Sequence, residues 1–135
     1  MAKLRILIVE DEAMIALLLG DLLGVLGHEV CAIASTEAQA VAAALRCEPD
    51  LMIVDSSLGG GSGVSAVDEI LRHRRIPHVF ATANPSGVSD ERTDAIVIQK
   101  PYFEADLVAA MDRALTLTAS AATSGAPLTV QQSRN

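Results

Sequence analysis

The chain has 135 residues, 50% of them apolar and 20% charged, with a formal net charge of −7. That length fits a single domain with a real core, and the apolar share excludes a wholly disordered chain. Phe80, Tyr102 and Phe103 are its aromatic residues, too few for stacking platforms on single-stranded nucleic acid, and the acidic balance disfavours phosphate backbones.

The basic run Arg72-His73-Arg74-Arg75 reads as a solvated helix end, where cations complement the helix dipole. Cys31 and Cys47 form neither a disulfide framework nor a metal-binding pattern, so both are expected as small core residues. The aliphatic run from Leu4 breaks at Glu10, too early for a signal-peptide core. The uncharged stretch 114–133 is too rich in Ser, Thr and Gln for a membrane span. The expectation is a cytoplasmic protein with no membrane insertion and no nucleic-acid partner.

Residues 4–9 form a continuous aliphatic run broken by Arg5, which predicts a first strand. Residues 13–26 carry apolar side chains at helical spacing up to Gly27, a good stop. Gly20 and Gly24 inside that helix suggest close packing on a neighbour. Residues 30–34 predict a second strand, and Thr36 caps an alanine-rich helix through Arg46, with Pro49 beyond. Residues 51–54 predict a third strand. A helix over 62–74 has Val64, Val67, Ile70 and Leu71 on one face. Residues 78–82 predict a fourth strand.

Residues 83–94 contain Ala83 and Val88 as their apolar positions, so no amphipathic face can form, and a loop with at most one short helix is expected. Residues 95–98 predict a fifth strand and 104–117 a last helix. From Ala119 the composition turns to Ser, Thr, Ala, Gly and Gln, which predicts a flexible tail over 119–135 with no output domain in it. Continuous apolar runs mark strands covered on both faces. Alternation of such runs with helices predicts an α/β fold, a doubly wound parallel sheet.

The chemistry gathers at the carboxyl ends of these strands. Strand one ends at Glu10-Asp11, strand three at Asp55, strand four at Thr82 and strand five at Lys100-Pro101. Open α/β sheets bind ligands at that edge, and in the order 2-1-3-4-5 strands one and three are neighbours. Three carboxylates would then meet, which needs a compensating charge. A hard divalent cation such as Mg²⁺, held by carboxylates and phosphate oxygens, supplies it. Lys100 offers a point charge to phosphate, and Thr82 a hydroxyl donor. Glu12 is read as lying outside the site, at a helix N-terminus.

Ile6-Leu7-Ile8-Val9-Glu10-Asp11-Glu12, Leu51-Met52-Ile53-Val54-Asp55, Thr82-Ala83 and Lys100-Pro101, in this order, resemble the receiver domain of two-component response regulators. The resemblance covers roughly residues 3–117 and implies a flavodoxin-like (βα)5 fold, with a receiver domain over 1–118. It implies that Asp55 accepts a phosphoryl group from a kinase phosphohistidine. Asp11 would be a direct metal ligand, Glu10 its acidic partner, and Ser57 would lend its backbone carbonyl to the metal. Thr82 would bind the phosphoryl oxygen, Lys100 would pair with it, and the Lys100-Pro101 bond would be cis. Partners would be a sensor histidine kinase or phosphotransfer protein and a downstream protein target. Such a protein catalyses its own phosphotransfer and dephosphorylation without being a conventional turnover enzyme.

Two departures stand out. Gly59-Gly60 replaces the Pro-Gly of many receivers, although Gly63 keeps a later family glycine, and the loop is expected to be more mobile. Val97 stands where receivers place an aromatic, so the usual threonine–aromatic coupling cannot operate. With Phe80-Ala81-Thr82, this resembles the alphaproteobacterial subgroup named for a Phe-Ala-Thr motif, although Ala83 stands where that subgroup has glycine. Phosphorylation is then expected to order residues 83–94 instead of turning a ring.

The competing readings are weaker. Gly61-Ser62-Gly63-Val64-Ser65-Ala66 fits a dinucleotide pattern but follows the third strand. A phosphohydrolase of the aspartyl-phosphate type would carry an aspartate where Ser57 stands. A degenerate receiver, binding without phosphate, would not need Glu10, Asp11, Asp55, Thr82 and Lys100 together. His28, His73 and His78 sit at no metal-ligand spacing, and Tyr102-Phe103 is expected to staple the final helix.

Overall fold

The computed structural model describes residues 2–92 and 94–124. The elements run β1 (Arg5–Val9), α1 (Ala13–Val25), β2 (Glu29–Ala34), α2 (Glu37–Cys47), β3 (Leu51–Asp55), β4 (Ser57–Leu58), β5 (Gly61–Ser62), α3 (Gly63–Leu71), β6 (His78–Thr82), α4 (Pro85–Glu91), β7 (Val97–Gln99) and α5 (Glu104–Ser124). Five strands form one sheet in the order β2-β1-β3-β6-β7, and each adjacent pair is parallel. This is the flavodoxin-like 2-1-3-4-5 order, with β6 and β7 as the fourth and fifth strands of the sheet.

Alternation along each strand explains the continuous apolar runs. Ile6, Ile8 and Ile53 face a cluster with Leu19, Leu23, Leu107 and Met111 of α1 and α5. Leu7, Val9, Met52, Val54 and Phe80 face the other side, against Ala40, Ala44, Val67 and Ile70 of α2 and α3. Successive side chains point to opposite faces, so a strand covered on both sides must be apolar throughout.

The helix ends follow the expected chemistry. Gly27 has φ of 92°, and the bonds His28 N→Leu23 O (2.9 Å) and Gly27 N→Gly24 O (3.0 Å) close α1 in a Schellman arrangement. Thr36 accepts from Gln39 N at 3.1 Å and starts α2. The expectation that Gly20 and Gly24 permit close packing is not met. A methyl on Gly24 would meet nothing within 4 Å, and one on Gly20 would make ordinary contact with Val30.

Several boundaries differ from the sequence reading, among them β7, which covers Val97–Gln99 in place of residues 95–98. The glycine-rich stretch after Asp55 is a two-stranded hairpin, Ser57 opposite Ser62 and Leu58 opposite Gly61, turning through Gly60 at φ 79°. α3 ends at Leu71, short of the basic run, whose Arg72 and His73 turn back to Glu69 at 2.9 and 3.3 Å. α5 continues to Ser124, past both the expected end at Leu117 and the start of the expected tail. The Thr, Ala and Ser of residues 118–124 include no glycine or proline stop, so nothing local ends the helix before Ser124. Residues 125–135 of that expected tail lie outside the described residues.

α4 is the one short helix allowed within residues 83–94, although Thr93 lies outside the described residues. It forms on local chemistry. Asn84 Oδ1 accepts from Gly87 N at 3.4 Å, Pro85 opens the first turn, and Val88 is the buried anchor. No described helix is long and apolar enough to cross a membrane.

Candidate functional site

Parallel pairing delivers the polar residues to one edge. Glu10 N donates to Ala34 O at 2.9 Å, so Glu10 extends β1 in line with the sheet. Asp55 is the last residue of β3 and pairs in register with Ala81. Thr82 ends β6, and Lys100 N donates to its carbonyl at 2.8 Å, which seats Lys100 beside it. The Lys100-Pro101 bond is cis.

Lys100 Nζ donates to Glu10 Oε1 at 2.8 Å and to Asp55 Oδ2 at 3.2 Å. Glu10 Oε2 accepts from Glu12 N at 3.2 Å. Glu12 occupies the N-cap position of α1 without a side-chain cap bond, and its side chain is exposed, outside the cluster. Asp11 is exposed, and its Oδ2 accepts from Gly59 N at 2.7 Å. Glu10, Asp11 and Asp55 each present a carboxylate oxygen within 4.8 Å of the others. Ser57 N donates to Asp55 Oδ1 at 3.0 Å, and Ser57 itself is exposed. Every residue read as a site residue therefore lies in this one cluster or on its rim.

Burial shapes the charges. Glu10 is 5% exposed, and burial raises its carboxyl above the ordinary range, against the lowering effect of the Lys100 hydrogen bond. Burial works to neutralise Lys100, but its bonds to Glu10 and Asp55 outweigh this and raise its ammonium overall. Tyr102 follows the cis bond, packs half-buried against the α1–α5 core, and is raised by that burial. Phe103, expected to staple α5, is 82% exposed. Its backbone N–H instead donates to Asp106 Oδ2 at 3.0 Å, so the carboxylate, not the ring, ties the helix start.

Two features escaped the sequence reading. Gly63 N donates to Ser56 O at 2.9 Å, and a Cβ on Gly63 would collide with the Asp55 carbonyl oxygen. Ser56 Oγ lies 2.7 Å from Thr82 Oγ1. The serine after Asp55 was visible in sequence, but its partner, far along the chain, was not. The histidines stay away from the cluster. His28 Nδ1 accepts from Leu4 N at 3.1 Å, and His78 packs edge-on against Phe80 with ring centres 5.5 Å apart.

The donor set is three hard carboxylate oxygens beside an exposed edge, which suits Mg²⁺ and does not suit softer metals. An ammonium and a buried hydroxyl stand across from them, an arrangement able to hold an anion bound to one carboxylate.

Comparison with known proteins shows the family and the fold. The chain is 38% identical over 121 residues to the phyllosphere-induced regulator PhyR of Methylorubrum extorquens, a match over 87% of this chain and 45% of that protein. It is 33% identical over 116 residues to the transcriptional regulatory protein PdtaR of Mycobacterium tuberculosis, over 83% of this chain and 57% of that protein. The chain thus spans about half the length of these curated relatives. The solution structure of the Erythrobacter litoralis PhyR response regulator REC domain superposes with a TM-score of 0.80 at 31% identity, over 96% of this chain and 98% of that one. PhyR of Bartonella quintana, described as an anti-anti-sigma factor, superposes with a TM-score of 0.77 at 32% identity, over 94% of this chain and 53% of that one. The pattern of the response regulator receiver domain matches residues 6–112, and the chain belongs to that family.

Proposed function

We propose that this receiver accepts a phosphoryl group on Asp55 and signals through protein contacts. The observation that carries the reading is the position of Lys100 Nζ, 3.2 Å from Asp55 Oδ2 and 2.8 Å from Glu10 Oε1. An ammonium there neutralises charge that spreads over the oxygens of a transferring phosphoryl group. Thr82, at the end of the neighbouring strand, offers a hydroxyl to one of those oxygens.

Asp55 is the nucleophile. A phosphohistidine P–N bond breaks as an Asp55 Oδ–P bond forms, and the imidazole leaves with a proton in place of the phosphoryl group. Glu10, Asp11, Asp55 and the Ser57 carbonyl would hold Mg²⁺, which neutralises phosphoryl oxygens when bound. Lys100 steadies the same charge from the other side, and Gly59 N–H orients the Asp11 carboxylate.

A protein phosphodonor is supported by α1. Met14, Leu17 and Leu18 are 67%, 59% and 61% exposed on its outer side. Ile15, Leu18, Leu22, Pro101 and Tyr102 line an apolar hollow that reaches Lys100. An apolar patch this close to the site suits the helical surface of a histidine kinase or phosphotransfer protein. A downstream protein target completes the proposal, in keeping with the anti-anti-sigma description of the Bartonella relative.

The test is intact mass after incubation with acetyl phosphate and Mg²⁺. Wild type should gain one phosphoryl group and Asp55→Asn none. Equal adducts on both, or none on wild type, would refute the assignment.

A further inference from the structure

The Thr82 hydroxyl is buried at 4% exposure and approached from two sides. Asn84 N–H donates to Oγ1 at 3.0 Å, and Ser56 Oγ lies 2.7 Å away. A hydroxyl has one hydrogen and two lone pairs. The amide can only donate, so it fills one lone pair of Thr82. The direction of the Ser56–Thr82 bond is then decisive. If Thr82 donates to Ser56, its hydrogen is spent. If Ser56 donates, both lone pairs of Thr82 are filled and its hydrogen must point away from both donors.

We infer that Ser56 is a positioning residue that acts through Thr82. With a phosphoryl group on Asp55, Ser56 donates to Thr82, and Thr82 donates onward to a phosphoryl oxygen. This rests on the phosphoacceptor reading above. The phosphoryl oxygen selects one direction of a bond that runs either way while Asp55 is bare. Bonds in such a chain polarise one another, so the terminal donor is strengthened.

The surroundings fix Ser56 for this task. It follows Asp55 directly, and its carbonyl accepts from Gly63 N at 2.9 Å. Gly63 is packed too closely against the Asp55 carbonyl to admit any side chain. The backbone that carries Ser56 is therefore seated on the same glycine that seats the acceptor. A hydroxyl is needed, and threonine, which adds a methyl on Cβ, keeps that hydroxyl.

The test uses beryllofluoride as the phosphoryl mimic with Mg²⁺, on wild type, Ser56→Ala, Ser56→Thr, Thr82→Ala and the Ser56→Ala/Thr82→Ala double variant. Removing one neutral hydrogen bond should weaken beryllofluoride binding about threefold to tenfold in Ser56→Ala. Mg²⁺ affinity should stay at the wild-type value, Ser56→Thr should restore binding, and Ser56→Ala should add nothing in the Thr82→Ala background. Wild-type affinity in Ser56→Ala overturns the inference, as do losses that multiply in the double variant or a parallel fall in Mg²⁺ affinity. A wild type that is phosphorylated on Asp55 while Ser56→Ala matches it in beryllofluoride binding sinks this inference alone. A wild type that takes no phosphoryl group sinks the phosphoacceptor reading and this inference with it.

Discussion

Lys100 Nζ lies closer to Glu10 Oε1 than to Asp55 Oδ2, 2.8 Å against 3.2 Å. The lysine is thus anchored on the more buried carboxylate and extends toward Asp55, the proposed nucleophile. Without it, Glu10 and Asp55 would face each other with no compensating cation.

That geometry separates two roles of the site. A unit charge about 4 Å away under water-like screening is worth about 1 kcal/mol, or about fivefold in affinity. Lys100→Met should therefore bind Mg²⁺ about fivefold more tightly than wild type in calorimetric titration. The same variant should accept phosphoryl groups from acetyl phosphate far more slowly. Weaker Mg²⁺ binding would mean that the lysine supports the carboxylates more than it competes with the ion.

Gly63 and Gly24 should respond in opposite directions to alanine. A Cβ on Gly63 meets the Asp55 carbonyl and Val54 Cγ1, the latter at 2.7 Å, whereas one on Gly24 meets nothing within 4 Å. Gly63→Ala should cost about 1–3 kcal/mol through overpacking and impair phosphoryl acceptance by displacing Asp55. Gly24→Ala should add about 0.5–1 kcal/mol by favouring the helix. Urea unfolding midpoints of the two variants decide both.

Thr36→Ala removes the oxygen that accepts from Gln39 N at 3.1 Å. The expected cost is about 1 kcal/mol, as for other N-cap losses. Thr36→Ser should recover most of it in the same unfolding assay, because the accepting oxygen is kept.

His78 should make the fold acid-sensitive. Burial lowers its pKa below the ordinary 6.5, with only partial support from its bond to Ile76 O. Between the lowered folded value and 6.5 the unfolded chain binds more protons, so stability falls as pH drops through that window and levels off below it. His78→Asn should lose less stability than wild type between about pH 7 and about pH 5. Identical pH profiles would show that His78 carries none of the effect.

The sheet and the site were legible for one reason: both are written in short, local patterns. Ile6-Leu7-Ile8-Val9 and Leu51-Met52-Ile53-Val54 each feed two cores, so continuous apolarity marked them as interior strands. Each chemical residue then ends a strand or directly follows one, and parallel pairing carries Glu10, Asp55, Thr82 and Lys100 to one edge. What escaped depends on contacts between distant parts of the chain or on competing local preferences. Ser56 meets Thr82 across two strands, and no spacing encodes it. The two-residue strands of the hairpin are too short to carry an alternating pattern. Phe103 is apolar yet exposed, and the helix start is tied by the bond from its backbone N–H to Asp106 Oδ2.

The position of Tyr102 after the Lys100-Pro101 bond has an optical consequence. The chain contains no tryptophan and one tyrosine, Tyr102, seated directly after that bond. Its tyrosine emission therefore comes from a single ring two residues from Lys100, the group that bridges Glu10 and Asp55. The protein carries a native fluorophore at the rim of its chemical centre, and its quenching can be followed without any attached dye.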